Sequence, residues 1–107
     1  MPQTQRYGSI SKLKPDKAEY YQKLHAAPWK QINDMIKKCN IQNYSIYIYD
    51  DYIFSYYEYI GENYTADMAQ MAADPETQRW WEECVPCMNP LSTNAPWLDM
   101  KEIYHLD

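Results

Sequence analysis

Glycine is nearly missing from this chain, two in 107 residues, so a glycine-rich loop that cradles phosphate has nothing to be built from. Positive charge is short as well. Ten Lys and Arg are scattered among fifteen Asp and Glu, for a net charge of −5, and no basic stripe exists to neutralise a phosphate backbone, so nucleic acid is not an expected partner. No stretch approaches the ~20 consecutive apolar residues that cross a bilayer. The opening Met1-Pro2-Gln3-Thr4-Gln5-Arg6 is polar, without the apolar core of a secretion signal, and a soluble, cytoplasmic protein with no membrane partner is expected. Three cysteines, an odd number, argue against a secreted disulfide framework. A second domain has no room, and residues 1–107 read as one domain of ordinary size.

Aliphatic side chains and phenylalanine are also few, and their place is taken by twelve tyrosines and four tryptophans. Such a core is aromatic and partly polar. Rings that bury large areas while keeping an OH or NH suit a surface that also meets something amphipathic, such as a sugar or another subunit.

The periodicities give an element order. Arg6 to Leu13 alternates as a strand with Tyr7, Ser9, Ser11 and Leu13 on one face. Pro15 opens a helix with Asp16 in its first turn. Pro28 lacks an N–H and disfavours helical geometry at Ala27, so that helix ends near Ala26 and a second begins at Pro28. Trp29, Ile32, Ile36 and Cys39 form its core stripe, and Asn40 is a left-handed stop. From Ile41 the period becomes two. Tyr44, Ile46 and Ile48 oppose Asn43, Ser45, Tyr47 and Tyr49, Asp50-Asp51 turns the chain, and Tyr52 to Ile60 returns as the second arm of a hairpin. A short helix follows Gly61. Asp74-Pro75-Glu76 opens another, with Asp74 as N-cap, and that helix carries Gln78-Arg79-Trp80-Trp81 until Pro86 ends it. Cys87 to Asp99 reads as a loop and Lys101 to Leu106 as a last strand. The order matches the βαββαβ plan of an α+β, ferredoxin-like sandwich of the dimeric α/β-barrel type. In that plan helices cover one sheet face, and the other here bears tyrosines and isoleucines, so a homodimer built on it is expected.

Four constellations carry candidate chemistry. Tyr21 and His25 are four apart and share one helical face, and a histidine beside a helix break, with an ordinary pKa of about 6.5, suits proton transfer at neutral pH. Trp80 and Trp81 are about 100° apart around a helix, so one ring can pack in the core while the other lines a pocket and stacks on a sugar. Tyr44 lies mid-strand with a hydroxyl that reaches the helical layer if its face is inward. Cys84-Val85-Pro86-Cys87 has the look of a redox dithiol but stands at the negative end of its helix, where a thiolate is not favoured. As a zinc site it supplies two ligands, with Cys39 and His105 remote, and no metal is expected.

Taken together, Lys14-Pro15-Asp16, the Tyr21-x-x-x-His25 spacing, Trp29, Asn43-Tyr44-Ser45-Ile46-Tyr47, Gln78-Arg79-Trp80-Trp81 and Glu102-Ile103-Tyr104-His105-Leu106 resemble the L-rhamnose mutarotase family over nearly the whole chain. The resemblance implies a ferredoxin-like dimer in which His25 is the catalytic proton donor and Tyr21, Tyr44, Trp80 and Trp81 contact the sugar. It implies interconversion of the α and β anomers of a 6-deoxy-L-hexopyranose, without a cofactor, by ring opening and closure. One proton must reach the ring oxygen and another must leave the anomeric hydroxyl, and the residue that takes the latter is not identified by the sequence. Two departures bear on which sugar is used. Ala26 stands where asparagine is expected after the histidine, and Met88 to Met100 is a different loop. L-fucose, another 6-deoxy-L-hexose differing in hydroxyl configuration, is the alternative substrate. An oxygenase-type or non-catalytic ligand-binding member of the dimeric α/β-barrel group is the alternative from another class.

Overall fold

A computed structural model describes residues 4–107; the first three residues of the polar opening lie outside the described residues. Strands β1 (Gln5–Lys12), β2 (Ile41–Tyr49), β3 (Tyr52–Tyr59) and β4 (Leu98–Met100) form one sheet in the order β2-β3-β1-β4. Every pairing is antiparallel. Helices α1 (Ala18–Ala26), α2 (Lys30–Lys38), α3 (Tyr64–Ala73) and α4 (Pro75–Cys84) complete an α+β sandwich with the expected ferredoxin-like order.

The β1 alternation puts Ser9, Ser11 and Leu13 inside, as the sequence predicts. Pro15 opens a 3-10 turn rather than the α-helix itself, which starts at Ala18. The break at Ala27 and Pro28 is real, but α2 begins at Lys30 with Trp29 as N-cap, two residues beyond the proline. Trp29 has extended backbone angles, φ −67° and ψ 138°, so the chain needs that extra length to turn. Asn40 has φ 68° and closes α2, as predicted. Asp74 caps α4, accepting from the Thr77 amide at 3.0 Å. The α-helix ends at Cys84, and Pro86 sits in a following 3-10 turn, Val85–Cys87.

The last strand differs from the expectation. β4 is Leu98–Met100, inside the segment read as loop, and residues 101–106 form no strand. Alternation shows that a segment can pleat, whereas a strand also needs a neighbour, and β1 pairs with β4 only from Gly8 to Ile10. The tail is held instead by its side chain. Arg6 Nε donates to Glu102 Oε1 at 2.8 Å, leaving Ile103 and Tyr104 exposed.

β2 departs from simple alternation too. Gln42 opposes Glu58 and Ser45 opposes Tyr56, so β2 spends one residue more than β3 over that interval. This is a bulge, with Asn43 at φ 50°, and it brings both Ile41 and Tyr44 to the helical side. On the opposite side, Tyr47, Phe54, Ile10 and Leu98 lie in register across all four strands, an apolar row that no helix covers.

Near the α3 end of the sheet, Tyr59 and Asn40 both donate to Asp67 Oδ2, at 2.5 and 2.9 Å. Gly61 abuts this clamp: a Cβ there would lie 2.7 Å from Tyr59 Cζ and 2.8 Å from Asn40 Nδ2. Gly61→Ala should therefore displace the clamp and cost about 1–3 kcal/mol, read as a lower denaturation midpoint; an unchanged midpoint would show that the corner yields freely.

Candidate active site

Between the helices and the sheet lies a hollow of about 400 Å³, a size ordinary for small-molecule sites. Tyr21, His25, Tyr44, Trp80 and Trp81 all line it, so the five residues singled out by sequence meet around one space. α1 supplies Tyr21 and His25. One helical turn apart, their rings stack with centroids 4.2 Å apart. Trp80 meets the edge of His25 at 5.3 Å and of Trp29 at 5.2 Å, and is buried. Trp81, 39% exposed, stands where the hollow meets solvent. The pair is thus divided between core and mouth, as its helical spacing requires, although both touch the hollow.

His25 Nδ1 lies 2.8 Å from the Tyr21 carbonyl oxygen. A carbonyl only accepts, so Nδ1 carries the hydrogen and a neutral ring presents Nε2 as an acceptor. Burial lowers the His25 pKa below its ordinary value, opposed by that hydrogen bond, so the neutral ring is the resting form at pH 7. A second hollow of about 460 Å³, between α2 and β2, shares His25, Ile32, Tyr44 and Trp80, which places the imidazole at the boundary of both.

The phenols are donors, not bases. Burial raises the Tyr21 hydroxyl well above the ordinary phenol range and pushes Tyr44 up to about 12. Tyr44 leans on Tyr57 at 5.3 Å, and Tyr57 stacks on Tyr7 and hydrogen-bonds the Tyr64 hydroxyl. Cys84 lines the hollow and Cys87 lies behind it, both buried. Burial pushes the Cys84 thiol up to about 12 and raises Cys87 as well, so neither is a thiolate at neutral pH. Among the described residues no group of three or more His, Cys, Asp or Glu could hold a metal ion, and no helix is long and apolar enough to cross a membrane.

Nothing in the sequence singled out the floor of the hollow. Ile46, Ser55, Ser9 and Asp99 stand side by side in one register row across the sheet, and all four line the hollow. The available signal was serine at two inward strand positions, where small side chains leave room.

A ferredoxin-like sandwich that keeps a hollow of this size between its layers, walled by indoles and phenols with an imidazole among them, defines a small-molecule-binding α+β protein. The particular family follows from comparison. The family model described as rhaM, L-rhamnose mutarotase, matches residues 6–106. The chain is 31% identical over 103 residues to the L-rhamnose mutarotase of Listeria monocytogenes serotype 4b, covering 95% of this chain and 98% of that protein. It is 32% identical over 98 residues to the L-rhamnose mutarotase of Phocaeicola vulgatus, covering 89% and 91%. In fold it is similar to the L-rhamnose mutarotase FA22100 from Formosa agariphila, with TM-score 0.75 at 18% identity over 96% of this chain and 99% of that one. The chain belongs to the L-rhamnose mutarotase family, whose members are carbohydrate isomerases.

The burial of the two indoles sets up an unequal pair. Trp80→Ala should cost about 3–5 kcal/mol of stability, whereas Trp81→Ala should cost less than about 1 kcal/mol and weaken ligand binding instead. Denaturant titration beside ligand titration reads both; equal stability losses would contradict the division.

Proposed function

We propose that the protein interconverts the α and β anomers of a 6-deoxy-L-hexopyranose, with L-rhamnose as the substrate, and that His25 exchanges the proton. The observation that carries this reading is the fixed tautomer of His25 beside a sugar-sized hollow walled by aromatic rings. Aromatic faces suit the C–H faces of a pyranose, and buried hydroxyls suit its OH groups. Neutral His25 accepts the anomeric hydroxyl proton at Nε2 while a phenol hydroxyl of the wall donates to the ring oxygen. The bond between C1 and the ring oxygen then breaks, giving the open aldehyde. After rotation about the C1–C2 bond, the hydroxyl formed from the ring oxygen attacks the other face of C1 and gives its proton back to the phenol oxygen, while the imidazolium returns the other proton to the new anomeric oxygen. His25 is thus acceptor in opening and donor in closure, and the sum of atoms and charges is unchanged.

His25→Asn fills similar space without transferring a proton near neutral pH. It should keep the fold and much of the sugar affinity while slowing anomer exchange by about 10²- to 10⁴-fold, measured by exchange NMR on L-rhamnose beside a melting curve. A stable, sugar-binding and fully active variant would end the reading. The depressed pKa adds a sign. Acceptor-first catalysis keeps kcat/KM level through neutral pH and loses it only at more acid pH than an ordinary imidazole would, because burial holds the ring neutral. A free enzyme that needed the imidazolium would instead lose rate as pH rises through that region.

The protein also acts as a homodimer in this reading, because the row Tyr47, Phe54, Ile10 and Leu98 spans the uncovered sheet face and an apolar row of that length is costly to leave in water. Light scattering should return twice the 12.9 kDa chain mass at micromolar concentration; a monomer mass would refute it.

A further inference from the structure

Residues 88–97 run as a strap tied to β1 and bring Met88, Pro96 and Trp97 to the hollow. The strap is pinned to β1 along its length. The Asn89 amide donates to the Lys12 carbonyl at 2.7 Å, and the fully buried Ser11 hydroxyl donates to the Pro96 carbonyl at 2.5 Å. Beyond it, Asp99 pairs with Ser9 in the β1–β4 register, and the Ser9 hydroxyl donates to Asp99 Oδ1 at 3.3 Å. Trp97, half-buried, packs on the core and lines the same hollow.

Asp99 is the one carboxylate among the residues that line this hollow. The rest of the wall is aliphatic side chains, Pro96, methionine, aromatic rings, small hydroxyls and the Cys84 thiol. Asp99 is exposed as a residue while lining the space, so its second oxygen is open to a ligand and no buried charge is left unpaired. A carboxylate oxygen accepts hydrogen bonds and does not donate, and charge-assisted bonds are roughly twice as strong as neutral ones. β4 and β2 are the opposite edges of the sheet, so the side of the hollow away from Asp99 is the one where α2 packs on β2 and brings the apolar Ile36 to the lining. The space therefore has a hydroxyl-seeking end and a methyl-seeking end.

We propose that Asp99 is the specificity-determining residue of this site, accepting from sugar hydroxyls through the oxygen that Ser9 leaves free, so that hydroxyl configuration is read by the β4 end of the hollow and the deoxy methyl by the α2 end. The inference rests on the sugar-isomerase reading of the same hollow and deepens it. It also gives the sequence departure over Met88 to Met100 a role, since that segment ends by placing Trp97 and Asp99.

The test is Asp99→Asn in the full chain, titrated with L-rhamnose and with L-fucose by tryptophan fluorescence, beside exchange NMR and a melting curve. The amide oxygen of asparagine still accepts from Ser9, so a merely structural Asp99 predicts unchanged affinity. Its NH2 donates where the carboxylate accepted. Affinity for the preferred sugar should fall about tenfold or more, the ratio between the two sugars should shrink, and the melting midpoint should hold. Unchanged affinities and ratio, or a loss matched by a lower midpoint, would overturn the assignment. Because affinity is read apart from exchange, a wild type that binds without accelerating exchange ends the isomerase reading and leaves Asp99 to be judged on its affinities. A wild type that binds neither sugar overturns both.

Discussion

Everything in this molecule is arranged around keeping two layers apart. A chain of 107 residues ordinarily fills the space between sheet and helices, because interiors pack at crystal-like density. An unfilled apolar cavity costs about 24 cal/mol per Å³, so a dry hollow of 400 Å³ would cost on the order of 10 kcal/mol, comparable with the whole stability of a domain. The structure avoids that cost by making the hollow open and partly polar. Ser9, Ser55 and Asp99 give its floor partners for water or a ligand, and Trp81 stands at an open mouth. The core proper, Leu13, Tyr21, Ile32, Ile53, Trp80, Cys84, Cys87 and Met88, packs as a continuous cluster that forms part of the wall.

The scarcity of aliphatic residues now has a physical reason. Isoleucines and methionines line the space itself, and beside it planar rings hold one another at fixed separation, which flexible aliphatic chains do less well. Tyr7 stacks on Tyr64 at 4.6 Å and on Tyr57 at 5.2 Å, and Tyr59 meets Tyr64 edge-on at 5.1 Å. Each of these rings ends in a hydroxyl that finds a partner: Tyr57 with Tyr64, Tyr59 with Asp67, and Tyr7 with Gln5. No buried side-chain nitrogen or oxygen is left without a hydrogen bond among the described residues, which is what allows so polar a core to hold.

Much of the scaffold was legible because local chemistry decides it. The caps at Asp74 and Asn40, the break before Pro28 and the two-residue period of the hairpin each depend on a few neighbouring residues. Tyr21, His25, Trp80 and Trp81 were legible for a similar reason, since their spacing fixes their helical face, whereas the face of Tyr44 on β2 depends on the bulge before it. What was not legible depends on distant partners. β4 was expected at 101–106 and lies at 98–100, because β1 and not the alternating pattern selects which residues pair. The floor row of Ile46, Ser55, Ser9 and Asp99 exists only once four strands are in register, and no single strand announces it. The proton inventory of His25 was hidden likewise, for its tautomer follows from a backbone carbonyl one turn away.

The extra residue in β2 matters beyond the hollow. β2 is an edge strand, and an exposed edge with unpaired backbone groups invites pairing with other chains. Asn43 breaks that edge with its left-handed backbone, and Gln42 and Asn43 are tied sideways to Glu58 at 3.0 and 2.8 Å. The strand is therefore in one side-chain phase before the break and in the opposite phase after it. A chain carrying two phases cannot slip by a residue or two along its neighbour and still match, nor can it offer a straight template to a stranger. The kink that aims Tyr44 inward thereby also protects the molecule against fibrous assembly.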